Sequence, residues 1–279
     1  IVYAGAPLKS GQQCWWKVRV WDGDGQAGDW SAPAFWTMGI LSREEWKAKL
    51  IGRKPQPGAG AKADAGAETD AGAGRLPAPY LRKEVRLRAG IRRATAHATA
   101  LGLYELRVNG RRVSDWFAPG WKDYDKRLQV QAYEIGDLLR EGGNVFGVIL
   151  GEGWYSGTVG FLGDKVYGER PFFMMQVHVE YEDGSTERFV TDESWKVSAG
   201  PIRYSDIIKG EEYDARLEQD GWDRPGFDDA DWESPDVRPG YNGLLTATIE
   251  PPVRITKTMR PIGMRKTGQG TYIYDMGQN

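Results

Sequence analysis

Short apolar stretches that alternate with polar positions recur along most of the chain. In one of them, Tyr104, Leu106 and Val108 alternate with charged residues, which is the pattern of a strand with one buried face. Asn109-Gly110 follows directly, and the pair predicts a tight hairpin turn because both residues tolerate positive φ. Eight such strands, separated by turn residues, favour a jelly-roll or related β-sandwich. They are predicted at Leu81–Leu87, Arg93–Leu101, Tyr104–Asn109, Gln129–Glu134, Asn144–Leu150, Phe172–Tyr181, Ser185–Val190 and Trp195–Ser198.

The same patterns divide the chain into four parts. Strands are predicted at Cys14–Trp21 and near Ala34–Met38. Ser42 and Glu45 have the spacing of a capping box, which predicts a short helix. The tract 53–79 is dominated by Gly, Ala and Pro and predicts a disordered linker. The predicted parts are a partial β domain over 1–40, a connector over 41–79, a β-sandwich over 80–240 and the start of a further β domain over 241–279.

Composition and charge narrow the classes of function. With 37 basic and 39 acidic residues, the chain has no electrostatic footprint for nucleic acid or an anionic membrane. Its apolar runs are too short to span a bilayer, and its single cysteine excludes an internal disulfide. The chain opens at Ile1 in a strand-like stretch, so we expect a fragment, and the compartment stays open. No nucleic-acid or membrane partner is therefore expected.

Two polar loops combine aromatic and acidic residues. The first carries Trp121, Asp123 and Asp125, and the second carries Trp154 and Tyr155. A flat ring covers the apolar face of a pyranose, and carboxylates accept hydrogen bonds from its hydroxyls. The i, i+2 spacing of Asp123 and Asp125 also suits a hard cation such as Ca²⁺. These five residues are the candidate sugar site, with Asp123 and Asp125 as candidate calcium ligands.

A plainer interpretation of the same loops remains open. Trp121 and Trp154 are then residues at the edge of the core, and Asp123 forms an ion pair with Arg127. Adjacent acids occur elsewhere, but their spacing in sequence does not establish two carboxyls that face each other across a substrate. No catalytic residue is therefore assigned.

Five motifs occur in order along the chain. They are Val2-Tyr3-Ala4-Gly5 leading to Trp16–Trp21, Trp30-Ser31 and Gly39-Ile40-Leu41; Leu81-Arg82-Lys83; the stretch Leu101–Tyr155; Gly210–Arg216 followed by Gly221-Trp222; and Tyr274–Asn279. Together they resemble the N-terminal half of bacterial α-L-rhamnosidases, the inverting glycoside hydrolases of family 78. The set covers nearly the whole chain apart from the 53–79 tract.

The resemblance implies an all-β region: a fibronectin-III-like fragment, a jelly-roll and the start of a further β-sandwich. In that family the catalytic (α/α)6 barrel lies further along the chain, so this region is expected to be non-catalytic and to partner that barrel. Some members carry a calcium-dependent rhamnose-binding module here, which implies rhamnose-containing glycans or glycosides as ligands and Ca²⁺ as a possible cofactor. The alternatives are a purely structural scaffold and the accessory domain of another multidomain glycosidase.

Overall fold

The computed structural model describes residues 4–55 and 76–277, and two β-sheets packed against each other form its main body. Helical structure in these ranges is limited to α1 (Gly153–Ser156) and to 3-10 turns at Arg43–Glu45, Gly136–Leu138, Gly160–Leu162 and Ala215–Leu217. None of these helices is long and apolar enough to cross a membrane. The strands are β1 (Gln13–Trp16), β2 (Ala34–Thr37), β3 (Leu50–Gly52), β4 (Pro79–Leu87), β5 (Ile91–Leu101), β6 (Leu103–Val108), β7 (Arg111–Arg112), β8 (Arg127–Glu134), β9 (Gly142–Gly151), β10 (Phe172–Tyr181), β11 (Thr186–Val190), β12 (Lys196–Ala199), β13 (Ile202–Asp206), β14 (Gly210–Tyr213), β15 (Asp236–Arg238), β16 (Leu244–Ala247), β17 (Gly263–Gly268) and β18 (Thr271–Asp275).

The two large sheets have different sizes and orders. The larger sheet runs β15-β3-β10-β5-β8-β16, with β11 also paired to β10. The smaller sheet runs β12-β4-β9-β6-β7. Three separate two-stranded sheets are formed by β1 and β2, by β13 and β14, and by β17 and β18. The predicted all-β fold is confirmed, and the eight predicted strands fall on β4, β5, β6, β8, β9, β10, β11 and β12.

The main core lies between the two large sheets. Alternate alanines of β5, from Ala94 to Ala100, point into it and are buried. Their small side chains leave room for larger partners such as Phe146 from β9, Phe173 from β10 and Trp195. The intervening residues of β5 point to the outer face of the larger sheet, because successive side chains of a strand alternate. That outer face is also covered, and it positions the loops described below.

The predicted turn after β6 is confirmed. Asn109 and Gly110 have φ values of 50° and 83°, and they connect β6 to β7. The Asn109 side chain also accepts a hydrogen bond from the Val145 backbone N–H and donates to the Leu138 carbonyl, at 2.9 and 2.8 Å. Asn109 therefore provides both the turn conformation and a clamp between β6 and β9.

Two of the local predictions in the first 50 residues are wrong. The capping-box spacing predicted a helix, but only the 3-10 turn Arg43–Glu45 forms, and Ser42 makes no capping hydrogen bond with its side chain. The following residues are extended instead, because Leu50 and its neighbours are buried as β3 against β10. The strand predicted at Cys14–Trp21 ends at Trp16, and beyond it Val18 exchanges hydrogen bonds with Ser31.

The larger sheet also recruits strands from outside the range 80–240. β3 comes from the predicted connector and pairs with β10 and β15. β16 comes from the predicted final part and pairs in parallel with β8. The four-part division stays a prediction, but this pairing ties three of its parts into one sheet. Most of the predicted linker, residues 56–75, lies outside the described residues.

Candidate functional site

The two predicted aromatic loops meet at the surface. The rings of Trp121 and Trp154 stack with their centroids 6.3 Å apart and their planes 18° apart. Trp121 is 50% exposed, whereas Trp154 is half-buried and packs on a second apolar cluster. We call this pair the tryptophan platform. It presents a flat apolar surface to solvent, which is the geometry that sugar stacking requires.

A glycine at a crowded position places Trp154 in the platform. Gly153 has a φ of +52°, and a Cβ there would lie 2.7 Å from Cγ of Leu103. Only glycine allows α1 to begin this close to β6 without displacing the Leu103 side chain. Trp154 follows directly and is turned towards the loop that carries Trp121.

Tyr155 lies beneath the platform rather than in it. Its ring packs edge-on against Tyr124, with the centroids 5.2 Å apart, and Tyr124 is buried. Gly168 covers the other side so closely that a Cβ would lie 2.3 Å from Cζ of Tyr155. Burial raises the pKa of the Tyr155 hydroxyl. The structure therefore places Tyr155 as a support, and direct contact of Tyr155 with a sugar stays a prediction.

The two predicted carboxylates lie on the same loop as Trp121. Asp123 forms an ion pair with Lys126 at 2.7 Å, and this hydrogen-bonded lysine lowers the pKa of the Asp123 carboxyl. The alternative interpretation paired Asp123 with Arg127 instead, but Arg127 donates only its backbone N–H to the Asp123 carbonyl, at 3.0 Å. Asp125 is exposed. Among the described residues no three His, Cys, Asp or Glu side chains group closely enough to hold a metal, and the calcium assignment stays a prediction.

Residues distant in sequence hold this loop in place. Glu250 accepts hydrogen bonds from Lys122 at 2.6 Å and from Gln129 at 2.5 Å. The Tyr241 hydroxyl donates to the Tyr124 carbonyl at 2.7 Å. Burial, followed by the negative charges of Asp125 and Asp123, raises the pKa of Tyr241 to about 12. Sequence reasoning missed Glu250 and Tyr241, since nothing in their local sequence indicates contact with a loop more than a hundred positions away.

A buried carboxyl lies at the other end of α1. Glu152 precedes the helix, and burial raises its pKa to about 7, with the nearby Asp206 as the next largest cause. The Asp206 carboxylate accepts backbone hydrogen bonds from Thr158 at 2.7 Å and from Ile208 at 2.8 Å, and its own pKa is lowered. Glu152 is therefore the carboxyl whose charge state responds to pH near neutrality.

Comparison with known proteins gives consistent matches. A family model described as the α-L-rhamnosidase N-terminal domain matches residues 89–257, more than half of the chain. A model described as a Rha78A-like N-terminal immunoglobulin domain matches residues 1–42. The second match covers the part for which a fibronectin-III-like fragment was expected.

Curated relatives and solved structures agree with the family models. The chain is 44% identical over 207 residues to an α-L-rhamnosidase of Streptomyces avermitilis, which covers 72% of this chain and 20% of the relative. It is 31% identical over 284 residues to an α-L-rhamnosidase of an Alteromonas species, which covers 100% of this chain and 30% of the relative. A crystal structure of the Streptomyces avermitilis α-L-rhamnosidase complexed with L-rhamnose superposes with a TM-score of 0.85 at 28% identity, over 99% of this chain and 42% of that one. The chain thus spans less than a third of the length of these curated relatives.

Proposed function

Because this chain belongs to the α-L-rhamnosidase N-terminal domain family, we propose that it is the non-catalytic, all-β accessory region of an enzyme that hydrolyses terminal α-L-rhamnosides. The catalytic barrel would belong to the same polypeptide. The region would orient that barrel and hold rhamnose-containing glycosides near it. A tethered binding module raises the local concentration of substrate without taking part in the chemistry.

We further propose that the tryptophan platform binds the rhamnosyl unit. The observation that carries this proposal is the stacked, half-exposed pair Trp121 and Trp154. The C5 methyl group and the apolar face of the pyranose would rest on the exposed ring of Trp121. Asp123 and Asp125 lie on the same loop, where they would accept hydrogen bonds from sugar hydroxyls directly or through Ca²⁺.

Calorimetry with L-rhamnose tests the platform. Trp121→Ala removes the exposed ring, and the lost stacking of about 1.5 kcal/mol should weaken binding about tenfold. Trp116→Ala is the matched control, because Trp116 is 42% exposed on the same loop but the Arg112 guanidinium covers its ring at 3.4 Å. The absence of heat with the unmodified chain, with and without calcium, would remove this proposal.

The role of calcium is tested separately. If Asp123 and Asp125 hold Ca²⁺, then EDTA should abolish rhamnose binding and Asp125→Asn should lower the apparent calcium affinity. If the carboxylates bind the sugar directly, EDTA changes nothing and the same variant weakens rhamnose binding by itself.

A purely structural role is the second candidate, and one observation favours it. Trp154, Tyr155 and Tyr167 pack on the second apolar cluster, so part of the aromatic content of these loops is explained by stability alone. In that case Trp154→Ala lowers stability by about 3 kcal/mol, as for a buried aromatic, and no chain variant changes the heat with rhamnose.

A further inference from the structure

A polar cavity of about 560 Å³ lies on the outer face of the larger sheet. Its walls come from three regions that are distant in sequence: the segment after β2, strands β5 and β8, and the segment that contains β16. The residues of the tryptophan platform do not line it. Its volume is within the range of about 300–1,000 Å³ that is typical of sites for small molecules.

His97 is the exceptional residue of this cavity. It points outward from the middle of β5, lines the cavity and is only 1% exposed. Neither of its ring nitrogens has a hydrogen-bond partner of normal geometry among residues 4–55 and 76–277. Leaving such a group unmatched costs about 1–3 kcal/mol, and native proteins keep few of them.

The other polar groups around the cavity are already engaged. Glu134 accepts hydrogen bonds from the hydroxyls of Thr37 at 2.7 Å and Thr95 at 3.1 Å. Gln131 accepts from Tyr104 at 2.8 Å and donates to Thr248 at 2.7 Å. The carboxylate of Glu250, also in the wall, is held by Lys122 and Gln129 as described above. The unmet hydrogen-bonding capacity therefore concentrates on His97.

The charge state of His97 indicates what kind of group it can meet. Burial lowers its pKa to about 4, and the neighbouring His178 and Arg93 act in the same direction. The Met38 backbone carbonyl opposes this shift only in part. His97 is thus neutral at pH 7, with one nitrogen that donates and one that accepts. A hydroxyl group, which also donates and accepts, complements it better than an anion or a cation does.

The remaining lining narrows the ligand class. Trp46 provides a partly buried aromatic wall, and Ile40 and Leu245 add aliphatic surface. Carboxylates of Asp115, Glu134 and Glu250 make the cavity unfavourable for anions. Aromatic surface combined with neutral hydrogen-bonding groups is the recognition chemistry of a pyranose.

We propose that this cavity is a second saccharide-binding site, in which His97 exchanges hydrogen bonds with a hydroxyl of a neutral monosaccharide unit. The site would sit where the segment after β2 closes over the sandwich, so a bound sugar would also link these parts. The proposal is independent of the tryptophan platform, because it depends on different residues.

Imidazole NMR provides a direct test, because the chain contains only two histidines. The full chain is labelled at the histidine ring nitrogens and titrated with L-rhamnose, D-glucose and D-galactose as separate probes. We expect at least one probe to shift the His97 ring signals in a saturable manner, with a Kd on the order of 1 mM. The shift should persist in Trp121→Ala, which separates this site from the platform.

Two variants complete the test. Ala132 faces His97 across the β5–β8 pair and is exposed to the cavity, so Ala132→Trp should fill the space and abolish the shift while leaving His97 in place. His97→Leu should abolish saccharide binding at this site, and its stability should match or exceed that of the unmodified chain, because it removes an unmatched buried polar group. No shift with any of the three probes, or a shift that survives Ala132→Trp, would overturn the proposal.

Discussion

Arg82 on β4 provides the strongest test of how the loop before β15 is attached to the sandwich. Its side chain is 1% exposed, and its guanidinium donates to the Trp222 carbonyl at 3.0 Å and to the Arg224 carbonyl at 3.3 Å. It also forms an ion pair with Asp229. Arg82→Met keeps most of the side-chain volume and removes all of these bonds. The perturbation is therefore electrostatic rather than steric.

The expected loss follows from burial. Breaking a buried ion pair by removing one partner costs about 3–5 kcal/mol. The carboxylate partners Asp229 and Glu84 are 27% and 37% exposed, so water can solvate them again in the variant. The two carbonyls lose their donor, and the guanidinium no longer lies over the Phe227 ring at 5.4 Å. We expect Arg82→Met to lower the free energy of unfolding by about 3 kcal/mol.

Equilibrium urea unfolding, followed by tryptophan fluorescence, measures this difference. Arg86→Met is the matched control, because Arg86 lies four residues along the same strand with its side chain exposed. The control should change the free energy of unfolding by less than about 0.5 kcal/mol. A loss below about 1 kcal/mol for Arg82→Met would refute the view that this buried network anchors the loop.

Three further predictions concern other parts of the sandwich. Gly147→Ala should destabilise the chain by about 1–3 kcal/mol in urea unfolding, since its Cβ would lie 2.9 Å from the Trp222 indole. Asn109→Ala should cost about 2–3 kcal/mol by the same assay, because it removes the clamp to β9 at a positive φ. Glu152 has a pKa of about 7, above its model value of 4.5, so its contribution to stability is fully present below pH 4.5 and is lost as the pH rises through 7. Thermal unfolding at several pH values should therefore show Glu152→Gln gaining stability relative to the unmodified chain between pH 4.5 and pH 8.

Each of these predictions has an internal control. Gly23→Ala adds a Cβ that meets nothing within 4 Å and should be close to neutral. Asn109→Gly restores the turn conformation but not the clamp, so it should recover only part of the loss. A Glu152→Gln difference that stays constant between pH 4.5 and pH 8 would contradict the assigned pKa. A neutral Gly147→Ala would contradict the close packing of β9 against the Trp222 loop.

The candidate site was only partly readable from the sequence. Aromatic and acidic residues in two loops pointed to Trp121 and Trp154, and the fold brings these two rings together. The same reasoning treated Tyr155 as an exposed partner, but its ring lies under the platform against Tyr124. Sequence spacing does not distinguish these outcomes, because the direction of a loop side chain depends on what packs beneath it. Glu250 clamps the loop from more than a hundred residues away and has no local signal.

The sequence by itself determined the class of fold, the eight central strands and the turn at Asn109-Gly110, because these depend on alternation and on local φ preferences. Only the tertiary structure decided that Leu50 begins a sheet strand rather than ending a helix, since burial against β10 outweighs a capping preference. It also decided that His97 lies unmatched in a cavity, because three distant segments meet there. Local patterns specify which residues are buried, and long-range packing specifies what they meet.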